Sequence, residues 1–127
     1  MIRMSRHQFE CSVQVRDLPE QTDPEQGVWA WAYTIRVVNR GEIAAQLIAR
    51  RWLIEDESGH REEVRGLGVV GQQPLLQPGE QHEYTSWVQL RAPRGTMQGS
   101  FHCMSADAEA FDAQIPPFML GEAPTLH

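Results

Sequence analysis

Lysine is missing altogether: all 11 basic residues of this 127-residue chain are arginine. That excludes the phosphate-binding lysine of a P-loop and any lysine Schiff base. No stretch approaches the roughly 18 consecutive apolar residues of a membrane helix. The opening MIRMSRHQFE has no apolar run of the kind a secretory leader carries. Cysteine is scarce, with only Cys11 and Cys103. In the absence of a leader, both thiols are expected to be reduced and buried as small apolar groups. No C-x-x-C, H-x-H or H-x-x-x-H spacing joins the five histidines or the cysteines, so no zinc-type site is written in the sequence. Ser86 and Ser100 have no histidine–acid partner in sight, which leaves nucleophilic catalysis without support. Positive charge is in deficit too, with a formal net charge of −6. A polyanion is repelled by that balance, which argues against nucleic acid as a partner. Together these absences lead us to expect a cytoplasmic protein that is not an enzyme and has no cofactor, no metal site and no membrane partner.

What is present is period-two patterning. Apolar residues make up 41% of the chain, enough for one globular domain with a core. Phe9, Cys11, Val13 and Val15 alternate with Glu10, Ser12, Gln14 and Arg16, as on a strand with one face in and one face wet. DLPEQTDPEQG, with acids Asp17, Glu20, Asp23 and Glu25, reads as a solvated loop. In VWAWAYTIRVVN, Trp29, Trp31, Tyr33, Ile35 and Val37 share one face. AAQLIARRWLIED is a further strand candidate, followed by a turn at Gly59 and a short polar edge strand around His60–Val64. Tyr84, Ser86, Val88 and Leu90 share a face with Trp87 opposite. Met97, Gly99, Phe101 and Cys103 form another face, and Phe111, Ala113 and Ile115 precede Pro116 and Pro117, which suit only an edge strand. Seven or eight short strands without a long amphipathic helix predict an all-β, antiparallel sandwich or barrel in one domain, 1–127, with its core over about 7–120 and a mobile tail at 121–127. Trp31, Tyr33, Ile35 and Phe101 are the expected core.

Gly66, Gly68 and Gly71 spell G-x-G-x-x-G, the spacing of a dinucleotide loop. That mechanism needs a helix starting at the third glycine, whose amides face the pyrophosphate. Here QQPLLQPGE follows, and Pro74 and Pro78 forbid a regular helix. Glycines of an all-β domain mark bends and close backbone contacts instead. A third reading is a binding loop, with exposed glycine backbone and Val69 and Val70 as a small apolar anchor. Arg50 and Arg51, beside Trp52, either form surface ion pairs or present a cationic rim. The acids of Glu55–Glu57 with Glu62 and Glu63 suggest a solvated hairpin tip, and the histidines, His82 and His102 among them, read as unpaired surface groups.

GLGVVGQQPLLQPGEQHEYTS, with RRWLIEDESG before it and GTMQGSFHCM and FDAQIPPFML after it, resembles the ApaG family. The four blocks keep their order and spacing over roughly residues 7–120. The resemblance implies an immunoglobulin-like or fibronectin type III-like sandwich and a link to cobalt and magnesium resistance or efflux. It implies no catalytic residues. Related eukaryotic domains, in an F-box protein and a polymerase-interacting protein, look like protein-binding modules. The leading expectation is therefore a protein-interaction module with an unidentified protein partner and possible homo-oligomerisation, working through Gly66, Gly68, Val69, Val70, Gly71, Arg50 and Arg51. The alternatives are a phosphate- or dinucleotide-sensing domain using the Gly66–Gly71 loop, and a direct divalent-cation binder.

Overall fold

A computed structural model describes residues 7–121. Eight strands run β1 (Phe9–Asp17), β2 (Trp29–Asn39), β3 (Ala45–Asp56), β4 (Arg61–Leu67), β5 (Leu75–Leu76), β6 (Gln81–Leu90), β7 (Gly95–Ser105) and β8 (Ala110–Leu120). All pairings are antiparallel. One sheet has the order β1-β2-β6; the other has β4-β3-β7-β8, with β5 also pairing β3. This is an antiparallel sandwich of the fibronectin type III-like kind. The expected tail beyond residue 121 lies outside the described residues.

The alternating apolar faces meet between the sheets. Trp31, Tyr33, Ile35 and Val37 of β2 are buried against Leu47, Trp52 and Ile54 of β3 and Met97, Phe101 and Cys103 of β7. Tyr33, Trp52 and Phe118 form an aromatic cluster, with Trp52 edge-on to both others. β1 follows its pattern only at its start. Phe9 and Cys11 are buried, whereas Val15 is exposed. The acidic segment after β1 is more ordered than a solvated loop: it makes two 3-10 turns, and Leu18 packs on Ala30 and Ala32, the outward face of β2.

Two bulges shape the larger sheet. Register shifts between Leu47 and Ala49 make Ile48 an extra residue in β3 opposite β7. A second shift places Pro116 and Pro117 in a bulge of the edge strand β8, where a missing N–H costs no ladder bond. The turn after β2 is held by buried Asn39, whose amide nitrogen donates to the Ile43 and Leu76 carbonyls at 2.9 Å each.

β1 packs beside β8, so that side of the sandwich is closed. On the opposite side, between β4 and β6, both sheets end in a free edge among the described residues.

Candidate functional site

The three glycines do different jobs, and none faces a helix. Gly66 belongs to β4 and pairs with Arg50. Gly68 has φ 65° and donates its N–H to the Ile48 carbonyl at 2.7 Å, so the loop is fastened to the β3 bulge. Val69 and Gln72 then exchange backbone hydrogen bonds at 2.7 and 3.0 Å around Val70 and Gly71. Both central residues have positive φ, 46° and 77°, the signature of a tight two-residue hairpin turn. Glycine meets that demand freely; valine, β-branched, is strained there. The two valines diverge: Val69 is buried at 1% exposure, whereas Val70 stands out at 65%.

The expectation of uncovered glycine backbone is corrected here. The amides of Gly68, Val69 and Gln72 are already donated within the protein. Arg50 donates from Nη1 to the Leu67 and Gly68 carbonyls, both at 3.0 Å, and its guanidinium lies over Gly66. A phosphate approaching this loop therefore meets few free donors.

Alternation sends Arg50 and Arg51 to opposite faces, and the Ile48 bulge sets which face each takes relative to Leu47. Arg50 pairs across the sheet with Phe101 and shares its inward face. Burial pushes the Tyr33 phenol up, opposed by its Ser86 hydrogen bond and by the Arg50 charge. Tyr84 is likewise pushed up by burial, with Tyr33 and Cys11 adding and Arg50 opposing. Arg51 points outward and donates to Glu63 at 3.2 Å, and Glu63 also bridges to Arg65. Hydrogen bonds from Arg51, then from Arg65, hold the Glu63 carboxyl below its usual range.

On that outward face a groove of about 460 Å³ is lined by Ala49, Arg51, Arg65, Leu67, Ser100 and His102. Two of the lining residues are small, Ala49 and Ser100, and they pair across the sheet with the longer His102 and Arg51. At the loop end, Leu67, Val70 and Leu75 are 75%, 65% and 58% exposed and Met104 is also exposed. Leu75 and Met104 both lie opposite Gln46. This apolar group was not singled out from the sequence; the signal was there in PLLQP, where burying Leu76 turns Leu75 outward.

The remaining chemical candidates are spread apart. The histidines are not all unpaired: His7 contacts Glu109 at 2.9 Å and His102 contacts Asp112 at 3.0 Å. The hairpin tip is not simply solvated acid. Asp56 is buried and accepts from Ser58 N at 2.8 Å, His60 N at 3.2 Å and the Ser58 hydroxyl. Glu55 pairs with Arg61, and Glu57 with Arg94. Among the described residues no three His, Cys, Asp or Glu side chains gather as metal ligands. Cys11 and Cys103 are free and buried, and burial pushes each thiol up to about 12, which disfavours the reactive thiolate. Among the described residues no helix is long and apolar enough to cross a membrane.

A two-sheet sandwich whose glycine motif closes a hairpin defines a β-sandwich domain, not a nucleotide fold. The profile described as the ApaG domain matches residues 19–105, and the chain belongs to that family. It is 49% identical over 124 residues to the Protein ApaG of Ralstonia nicotianae, covering 98% of this chain and 100% of that one. Identity to the Protein ApaG of Methylobacillus flagellatus is 46% over 127 residues, the whole of both. A crystal structure described as an ApaA protein from Bordetella pertussis shares 46% identity and superposes with a TM-score of 0.91, covering 97% of this chain and 100% of that one.

Proposed function

We propose that the chain is a non-enzymatic, cytoplasmic protein-interaction module whose partner docks at the glycine-loop end of the larger sheet. The observation that supports this reading is Val70. A β-branched side chain is held at φ 46° and 65% exposed, anchored by buried Val69 and the Val69–Gln72 bonds. A strained apolar residue at a rigid tip points to use of that side chain. Leu75 and Met104 extend the apolar contact, and Arg51 and Arg65 supply a polar rim, the usual division of an interface. Any effect on cobalt or magnesium efflux is then exerted through the partner.

The test is affinity capture from native cytosol with the wild-type chain and with Val70→Asp, each first shown to melt normally. Val70 is exposed, so the folded variant is expected to lose a discrete protein that the wild type retains. Full capture by the folded variant moves the site elsewhere. Calorimetry with ATP, NAD or diadenosine tetraphosphate distinguishes the sensing alternative, which requires saturable binding lost in Gly68→Ala.

A further inference from the structure

Among the described residues strand β4 is a free edge, and edges of this kind are templates for another strand unless something blunts them. Its sequence, Arg61-Glu62-Glu63-Val64-Arg65-Gly66-Leu67, is charged, so a strand that adds here has to match those charges. We infer that its partner is a second copy of this chain, paired antiparallel through β4 about a two-fold axis at Val64.

The charge pattern selects that register. In a symmetric antiparallel pair, residues directly opposite share a sheet face. An axis at Val64 covers all seven residues, because Val64 is the middle of Arg61–Leu67. It sets Glu63 against Arg65 twice, and Arg61 against Leu67 twice. An axis at Glu63 sets Glu63 against itself and Arg61 against Arg65. An axis at Arg65 sets Arg65 against itself. Like charges directly opposite are destabilising.

The inward face gives a second, independent match. With the axis at Val64, Glu62 of one copy lies opposite Gly66 of the other. Gly66 is the residue over which the Arg50 guanidinium lies. Within one chain, Arg50 is bonded to the Leu67 and Gly68 carbonyls, and among the described residues neither it nor Glu62 has a carboxylate–guanidinium partner. Glu62 is exposed at the open edge. Two-fold pairing therefore brings each unmatched Glu62 to the other copy's unmatched Arg50, twice per dimer. Self-complementarity of this kind is what an isologous interface requires. The contact is short, so a weak, concentration-dependent dimer is expected.

Sedimentation equilibrium of the full chain up to about 1 mM, the weak end of specific association, reads the dimer constant. Wild type is expected to dimerise reversibly. Glu62→Arg, an exposed change checked by its melt, is expected to weaken association tenfold or more. A second measurement tests register. Directly opposed residues have Cα atoms about 4.5–5.5 Å apart, within disulfide reach. Oxidised Val64→Cys should therefore crosslink to a covalent dimer, whereas Glu63→Cys, whose opposite number is Arg65, should not. A chain that stays monomeric throughout overturns the inference. So does a dimer weakened less than tenfold by Glu62→Arg, or one crosslinked equally by Glu63→Cys.

Discussion

The guanidinium of Arg50 occupies the space in which a side chain on Gly66 would begin: a β-carbon there would lie 2.7 Å from both Nη1 and Nη2. Glycine at this position leaves room for its cross-strand neighbour. In turn Arg50 ties the end of β4 to the loop through the Leu67 and Gly68 carbonyls.

Gly66→Ala and Gly99→Ala should therefore differ. At Gly66 the obstacle is the far end of a flexible side chain, so displacing it and losing its carbonyl bonds is expected to cost about 1–2 kcal/mol. At Gly99 a β-carbon overlaps the Arg51 carbonyl oxygen and meets the Trp52 ring at 2.8 Å. Backbone and a buried indole cannot step aside, and a cost of about 3 kcal/mol, the upper part of the overpacking range, is expected. Urea unfolding of the two variants measures both. Equal costs would mean that Arg50 is as fixed as the sheet itself.

Val70→Asn should raise stability and lower function together. Asn-Gly is the preferred pair for a turn with two positive φ values, and removing a β-branched residue from that region is expected to yield about 1 kcal/mol. The urea midpoint should rise with an unchanged slope. Partner capture should fall if the Val70 side chain is the contact. A variant no more stable than wild type would show that the turn is not strained.

Tyr84→Phe should be close to neutral. The Tyr84 hydroxyl is buried without a hydrogen-bond partner among the described residues, so its removal discards an unpaired group at about 0–1 kcal/mol in favour of the variant. Trp52 Nε1 is in the same position, but Trp52→Phe also empties space beside Tyr33 and Phe118 and should destabilise by about 1–3 kcal/mol. Thermal melts compare the two directly. A large loss in Tyr84→Phe would indicate a water bridging the hydroxyl to the protein.

Asp56 should make the stability of the β3–β4 turn acid-sensitive. The Ser58 hydroxyl is the main cause holding its carboxyl below the ordinary 3.8; burial opposes it, and the Ser58 and His60 amides assist. A folded-state value below the unfolded one contributes stability above pH ~4 that is lost as pH falls through the folded value. The stability difference between wild type and Asp56→Asn should accordingly shrink as the pH is lowered from 7 to about 3. A difference independent of pH would show that the carboxylate charge does not matter there.

Period-two alternation determined most of the architecture. Trp31, Tyr33, Ile35 and Phe101 all face the core, because a strand with one apolar face has a single way to bury it. The prolines after Gly71 likewise determined that no phosphate-binding helix begins there, since proline cannot continue a helix interior. Arg50 and Arg51 are where the sequence stops. Alternation makes them diverge, but counted from Leu47 it turns Arg51 inward and counted from Trp52 it turns Arg50 inward. Tertiary structure decided which one turns in. The extra residue Ile48 shifts the phase of β3, so Leu47 and Trp52 both face the core despite their odd spacing. A bulge forms where ladder pairing and packing on both flanks are jointly best satisfied, and those flanks come from β5, β7 and the Gly68 amide, residues distant in the chain. The same long-range pairing laid Arg50 over Gly66 and, among the described residues, left β4 as an open edge.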